Sequence, residues 1–332
     1  MTQREQDLQV WVENFLGERT TLVPLANDAS FRKYYRAKRA RQSWVVMDAP
    51  PPKEDLRPFI AVAQALSQAG LMVPTIVASD LPKGFLLVSD FGDTLYYEAL
   101  RDKKPDDLYF KAMAAILEIQ ALKPSENLAL VPFDDAFIFT ELGYFKEWFL
   151  ERYLRLQLNR MDEILLEQAF LQLASTAREQ PRVLVHRDYH SRNLMLLPEG
   201  EVGILDFQDA VWGPITYDLV SLLKDCYLQW PRERVLGWAK TFWSMQLKPA
   251  GTIEWATFLR WFDIMGLQRH LKVLGIFSRL YLRDQKPRYL ADMPRIMSYV
   301  LEVTALYPEY SSLHTWLEQV VLAHFQEQQC VP

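Results

Sequence analysis

The sequence predicts an α+β protein of two lobes: a small antiparallel β lobe with one main helix over residues 1–90, and a larger, mostly helical lobe over residues 91–332. Three observations carry this. Short runs rich in β-branched and aromatic residues (21–25, 31–37, 44–48, 73–78, 85–88) fill the first part and are separated by polar turns. From Asp93 onward, apolar residues recur at helical spacing. One strand–turn–strand stretch, residues 183–209, interrupts the helices and gathers polar residues with chemical potential.

With 50% hydrophobic and 24% charged residues over 332 positions, the chain can bury a core in each lobe. A net charge of −5 offers no basic field for a nucleic acid or an anionic membrane. The two cysteines, Cys226 and Cys330, have no partner at metal-ligand spacing, so a reduced, cytoplasmic setting is expected. The first residues are charged throughout, unlike a signal peptide, and no apolar run is long enough to span a bilayer.

Taken in order, the chain opens with an amphipathic helix. Leu8, Trp11, Val12, Phe15 and Leu16 share one face, Thr2 and Glu5 are spaced as a capping box, and Gly17 stands where the helix should stop. Between the first two strands, residues 26–30 form a turn without glycine, and the third strand, Trp44-Val45-Val46-Met47-Asp48, holds no lysine. Three prolines (50–52) break the chain before a helix at 54–69 ended by Gly70, with Glu54 read as capping its start rather than as a lysine's partner, since the strand lysine is missing.

Ser89-Asp90-Phe91-Gly92-Asp93 closes the last strand of the small lobe. Helices follow at 105–122, 136–158 and 161–178; Phe145, Trp148, Phe149 and Tyr153 read as core, and Glu141, Glu147 and Glu151 as solvated. Tyr217 and Asp218 begin another helix, and the rest is helical and rich in tryptophan and tyrosine. There Arg269 and Lys272, with Arg279 further along, lie beside apolar flanks. They suit an anionic or polyhydroxylated ligand as readily as they suit solvent.

The central stretch, VLVHRDYHSRNLMLLPEGEVGILDFQD, sets Asp188, Asn193 and Asp206 at the ends of apolar runs joined by a tight turn. Two carboxylates and an amide so arranged fit phosphoryl transfer from a metal–nucleotide complex: one carboxylate orients the attacking hydroxyl, and the amide with the other carboxylate holds Mg²⁺ on the phosphates.

The pattern H-x-D-x-x-x-x-N followed by D-F resembles the catalytic and metal loops of the protein-kinase-like fold. The flanks HRDYHSRNLML and GILDFQDAVWGPITYDLVSLL are similar to the aminoglycoside phosphotransferase and choline kinase branch. The resemblance implies Asp188 as catalytic base and Asn193 and Asp206 as magnesium ligands, with ATP as phosphate donor. It assigns the nucleotide to the turn at Ala29, Ser30 and Phe31, to the hinge at Ser89, Asp90 and Phe91, and to Lys33 or Arg36 in place of the missing strand lysine. Asp90-Phe91-Gly92 precedes the catalytic loop and is therefore not the metal triplet.

Only twelve residues separate Asp206 from Asp218, which leaves no room for a long activation loop, so a small-molecule acceptor follows and Asp218 reads as a brace of the catalytic loop. DASFRKYYR, VVMDAPP, HRDYHSRNLM and QRHLKVLGIF are further similar to bacterial anomeric amino-sugar kinases. That resemblance implies phosphorylation of the C1 hydroxyl of N-acetylmuramate and N-acetylglucosamine during cell-wall recycling; a monomer is expected. Acceptor contacts would come from His190, Arg192, Asp209, Arg269, Lys272 or Arg279. An aminoglycoside kinase would need an acidic acceptor cleft and a choline kinase an aromatic cage. The missing lysine and glycines also permit a nucleotide-sensing pseudokinase, against which the joint presence of Asp188, Asn193 and Asp206 argues.

Overall fold

A computed structural model describes residues 2–25, 31–102, 105–246 and 253–329. In chain order the elements begin with α1 (Gln3–Leu16), β1 (Leu22–Pro24), β2 (Lys33–Arg39), β3 (Gln42–Asp48), α2 (Arg57–Gln68), β4 (Ile76–Asp80), β5 (Phe85–Ser89) and α3 (Tyr96–Asp102). Then come α4 (Pro105–Ala121), β6 (Val131–Pro132), α5 (Asp135–Tyr144), a π-helical run (Phe145–Tyr153), α6 (Arg160–Glu179), β7 (Arg182–Val185), β8 (Leu194–Leu196), β9 (Val202–Ile204) and β10 (Val211–Pro214). The helices α7 (Tyr217–Leu223), α8 (Arg232–Gln246), α9 (Trp255–Leu282), α10 (Met293–Leu306), α11 (Ser311–Trp316) and α12 (Leu322–Gln329) complete the described chain.

The chain divides into two compact units that are interleaved in sequence. The first takes residues 1–103, 124–129 and 192–210; the second takes 104–123, 130–191 and 211–332.

In the first unit, a five-stranded antiparallel sheet runs in the order β1-β2-β3-β5-β4. The capping box of Thr2 and Glu5 starts α1 as expected, and Gly17 ends it in the left-handed conformation that glycine adopts without penalty. Leu8, Val12 and Leu16 bury their side chains on Ala37, Val46, Phe85 and Leu87 of the sheet. The hairpin β8–β9 is joined to the same unit by main-chain bonds: Ile204 N–H to Met72 (2.8 Å) and Leu196 N–H to Thr94 (2.9 Å).

The second unit is built around α9, a 28-residue helix that packs on α5, the π-helical run, α7 and α10. Gly275 is what allows one of these contacts. A Cβ there would lie 2.3 Å from the carbonyl carbon and oxygen of Tyr144, at the point where α5 passes into the wider π turn. Phe145, Phe149 and Tyr153 are core, as expected. A small sheet, β6-β10-β7, pairs β10 antiparallel to β7 and so fixes the strand that leads into Asp188.

Candidate active site

In the second unit, β7 delivers the loop 186–191, whose main chain is held from outside at His186, Arg187 and Ser191. Arg187 has φ 78, a left-handed conformation unfavourable for a branched or long side chain. Asp218, at the start of α7, secures it by accepting from the N–H groups of His186 (2.7 Å) and Arg187 (3.0 Å), the bracing role expected from sequence. The Arg187 carbonyl accepts from Arg269 Nη1 (2.8 Å) and the Ser221 hydroxyl (3.2 Å). At the far end, Asp225 accepts from the Ser191 N–H (2.9 Å) and from the Ser191 hydroxyl. Asp188 therefore projects from a turn that is fixed at both ends.

Its electrostatic setting is equally specified. Arg269, almost fully buried, places Nη1 3.5 Å from Asp188 Oδ1. Glu141, expected in solvent, is instead buried, and accepts from Arg187 Nη2 (2.8 Å), Lys272 Nζ (2.8 Å) and Gln268 Nε2 (2.9 Å). Burial alone would raise the Asp188 carboxyl, but the cations of Lys272, Arg269, His190 and Arg187 outweigh it and hold the group far below the ordinary carboxylate range. Asp218 goes the other way: burial pushes it up to about 7 against the two N–H bonds and Arg269.

In the first unit, the hairpin carries Asn193 and Asp206. The Leu205 N–H bonds to the Asn193 carbonyl (3.0 Å), and Asp206 itself has φ 62. Asn193 Nδ2 lies 3.3 Å from Asp206 Oδ2, so both side chains reach a common point. Turning the amide by about 180° presents its oxygen there instead. An amide oxygen and a carboxylate are hard donors. Among the described residues, no group of three or more His, Cys, Asp or Glu could hold a metal ion alone. This donor set fits Mg²⁺, which keeps waters and substrate phosphates among its ligands.

Gln208, which stands where a metal triplet usually has glycine, donates to Asp206 Oδ1 (2.8 Å) and lies 3.4 Å from Asp209 Oδ2. Phe207 is buried against Phe59 of α2, ring centroids 4.8 Å apart, which anchors the loop to the main helix. The hinge is tied to the same hairpin. Gly203 has no side chain because a Cβ would lie 2.7 Å from the Phe91 ring.

The remaining expected residues fall into three groups. Ala29 and Ser30 lie outside the described residues, and Phe31 donates its N–H to Glu54 (3.2 Å). Lys33 is half-exposed and pairs with Glu5 at 3.7 Å, while Arg36 clamps the hinge through Asp90 (2.7 Å) and Asp93 (2.7 Å). Ser89 accepts from the Thr75 N–H through its hydroxyl (2.9 Å). The Arg192 guanidinium lies over the Tyr97 ring (5.0 Å), the His190 ring meets Tyr227 edge-on (5.2 Å), and Arg279 lies over Tyr144 (4.7 Å). Arg269 and Lys272, left open between ligand and solvent by the sequence, are buried in the Asp188 cluster.

Glu54 is not in the helix: α2 starts at Arg57, and Glu54 precedes it, paired with Arg32 (2.9 Å). Of the residues that pack around these groups, Arg32 and Asp225 carry no signal in the sequence, Glu141 reads there as solvated, and Gln208 stands out only as the residue that replaces the triplet's glycine.

A carboxylate on a braced turn in one unit and an amide–carboxylate pair on a hairpin in the other are the residue types that phosphoryl transfer to an alcohol calls for. The model of the phosphotransferase enzyme family matches residues 21–258, and the chain belongs to that family. It is 42% identical over 327 residues to the N-acetylmuramate/N-acetylglucosamine kinase of Pseudomonas aeruginosa, covering 93% of this chain and 95% of that one. It is 41% identical over 324 residues to the kinase of the same name from Pseudomonas putida, covering 93% and 94%. Among solved structures, choline kinase LicA from Streptococcus pneumoniae shares the fold, with a TM-score of 0.63, 15% identity, and coverage of 91% of this chain and 100% of that one.

Proposed function

We propose that this chain is an ATP-dependent kinase that phosphorylates the anomeric C1 hydroxyl of N-acetylmuramate and N-acetylglucosamine, giving the 1-phosphate and ADP in peptidoglycan recycling. The observation that carries the acceptor is identity above 40% along almost the whole chain to kinases named for those two sugars. Asp188 orients the C1 hydroxyl and accepts its proton. An anomeric hydroxyl is more acidic than an ordinary alcohol, so a strongly ionised carboxylate suffices. Asn193 and Asp206 hold the metal, and Gln208 keeps the Asp206 carboxylate in place. Mg²⁺ bound there would offset charge on the transferring phosphate. The main chain from Ser89 to Phe91 reads the adenine edge, and Phe31, with the turn before it, borders the phosphates.

In this reading residues 1–90 form the nucleotide lobe and 91–332 the catalytic and acceptor lobe, in a cytoplasmic monomer. His190, Arg192, Asp209 and Arg279 are the acceptor contacts, whereas Arg269 and Lys272 act on the sugar through Asp188. The test is phosphorus-31 NMR of products from ATP, Mg²⁺ and a panel of N-acetylmuramate, N-acetylglucosamine, kanamycin and choline. An anomeric sugar phosphate from the first two alone is expected; turnover with kanamycin or choline only would replace the acceptor.

A further inference from the structure

We infer that Arg32, held by Glu54, is the phosphate-contacting cation that stands in for the missing strand lysine and binds the polyphosphate of the nucleotide. The inference rests on the nucleotide-dependent phosphotransferase reading above and deepens it. β3 has no lysine, and the two cations of the neighbouring strand expected to replace it are engaged elsewhere: Lys33 at the surface with Glu5, and Arg36 with the hinge carboxylates. Arg32 differs from both. Its guanidinium and the Glu54 carboxylate are each about nine-tenths buried, with Nε 2.9 Å from Oε2.

The second Glu54 oxygen accepts the Phe31 N–H (3.2 Å), so the carboxylate holds both the main chain just before the arginine and the arginine's side chain. The guanidinium also hydrogen-bonds the Tyr34 hydroxyl, which burial and the negative field of Asp206 push up to about 12. The same field, with that of Asp209, acts on Arg32 itself.

A buried guanidinium in the field of the candidate metal carboxylate needs a reason. Glu54 neutralises one charge and fixes the fork by its Nε edge. A guanidinium has five N–H donors, and a planar fork is suited to bridging phosphate oxygens. The pair reproduces the logic of a lysine oriented by a glutamate, with the cation moved from the third strand to the start of the second. The carboxylate likewise moves from within the helix to the segment before it. Glu54 is therefore a positioning residue, and Arg32 the group that touches the nucleotide.

The test compares wild type with Arg32→Ala, Arg32→Lys and Glu54→Gln, using calorimetric titration of ADP and of adenosine, steady-state KM for ATP and for the amino sugar, and melting temperature without nucleotide. In Arg32→Ala, ADP dissociation constant and ATP KM should rise about tenfold or more, with adenosine affinity and sugar KM within about twofold. Arg32→Lys should recover part of the loss because it keeps the charge but not the fork. Glu54→Gln should shift ADP in the same direction by less. The inference is overturned if ADP affinity is unchanged in Arg32→Ala, or if adenosine and ADP weaken equally. Should the wild type phosphorylate neither amino sugar, the proposed acceptor fails while the ADP titration still decides the role of Arg32.

Discussion

Asp188 works in a setting of unusual charge density. The Lys272 and Arg187 cations share the buried Glu141, and Arg269 reaches both the Asp188 carboxylate and the Arg187 carbonyl. Because these cations depress the Asp188 carboxyl, it stays ionised well into acid, and if it is the base, as proposed, turnover should not be limited by its protonation near neutrality. Replacing Lys272 by Met removes the largest favourable charge, so Asp188 should titrate higher. The acid limb of the kcat/KM pH profile is expected to move upward, and an unmoved limb would show that Lys272 does not act on the base. Asp188→Asn, which keeps shape and loses basicity, should lower kcat about a thousandfold while leaving ADP affinity within about twofold.

Asp218 has the opposite sign. Its folded pKa, up to about 7, lies above its unfolded value, so its contribution to stability is full below about pH 4 and is lost as pH rises through about 7. In Asp218→Asn the fall in melting temperature across that window should flatten.

At the scale of elements, the crossing of α9 over the junction of α5 and the π-helical run depends on Gly275. Gly275→Ala forces a Cβ into main-chain atoms that cannot swing aside, and should cost about 1–3 kcal/mol in urea unfolding; an unchanged midpoint would mean that the two helices separate freely. The sequence showed these helices well, since apolar periodicity reports which face is buried, and the bounds of α4, expected at 105–122, are met almost to the residue. It showed the strand–turn–strand motif for the same reason, because residue type and spacing are both local. It did not show Glu141 as buried or Arg32 as the partner of Glu54. Both facts depend on pairs far apart in the chain, and a lone glutamate on a helix looks solvated until its partners are known. α2 starts later than the sequence predicts because Glu54 and Asp55, which resemble a helix first turn, are occupied by Arg32 and Arg57.

For the molecule as a whole, the interleaving of its two units governs what can be cut away. The first unit includes residues 192–210, and the hairpin in that segment supplies main-chain partners to Met72 and Thr94 and a ring partner to Phe59. A fragment of residues 1–103 should therefore show no cooperative thermal transition by circular dichroism, whereas the full chain should melt cooperatively; a sharp transition in the fragment would show that the hairpin is dispensable. The same arrangement has a consequence for synthesis. A ribosome makes residues in order, and the last segment of the first unit ends at residue 210 of 332. The five-stranded sheet is complete once β5 ends at Ser89, but the β8–β9 hairpin that packs into the same unit begins only at Leu194. Nascent chains thus carry the amino-terminal sheet without its hairpin while the intervening segment is made.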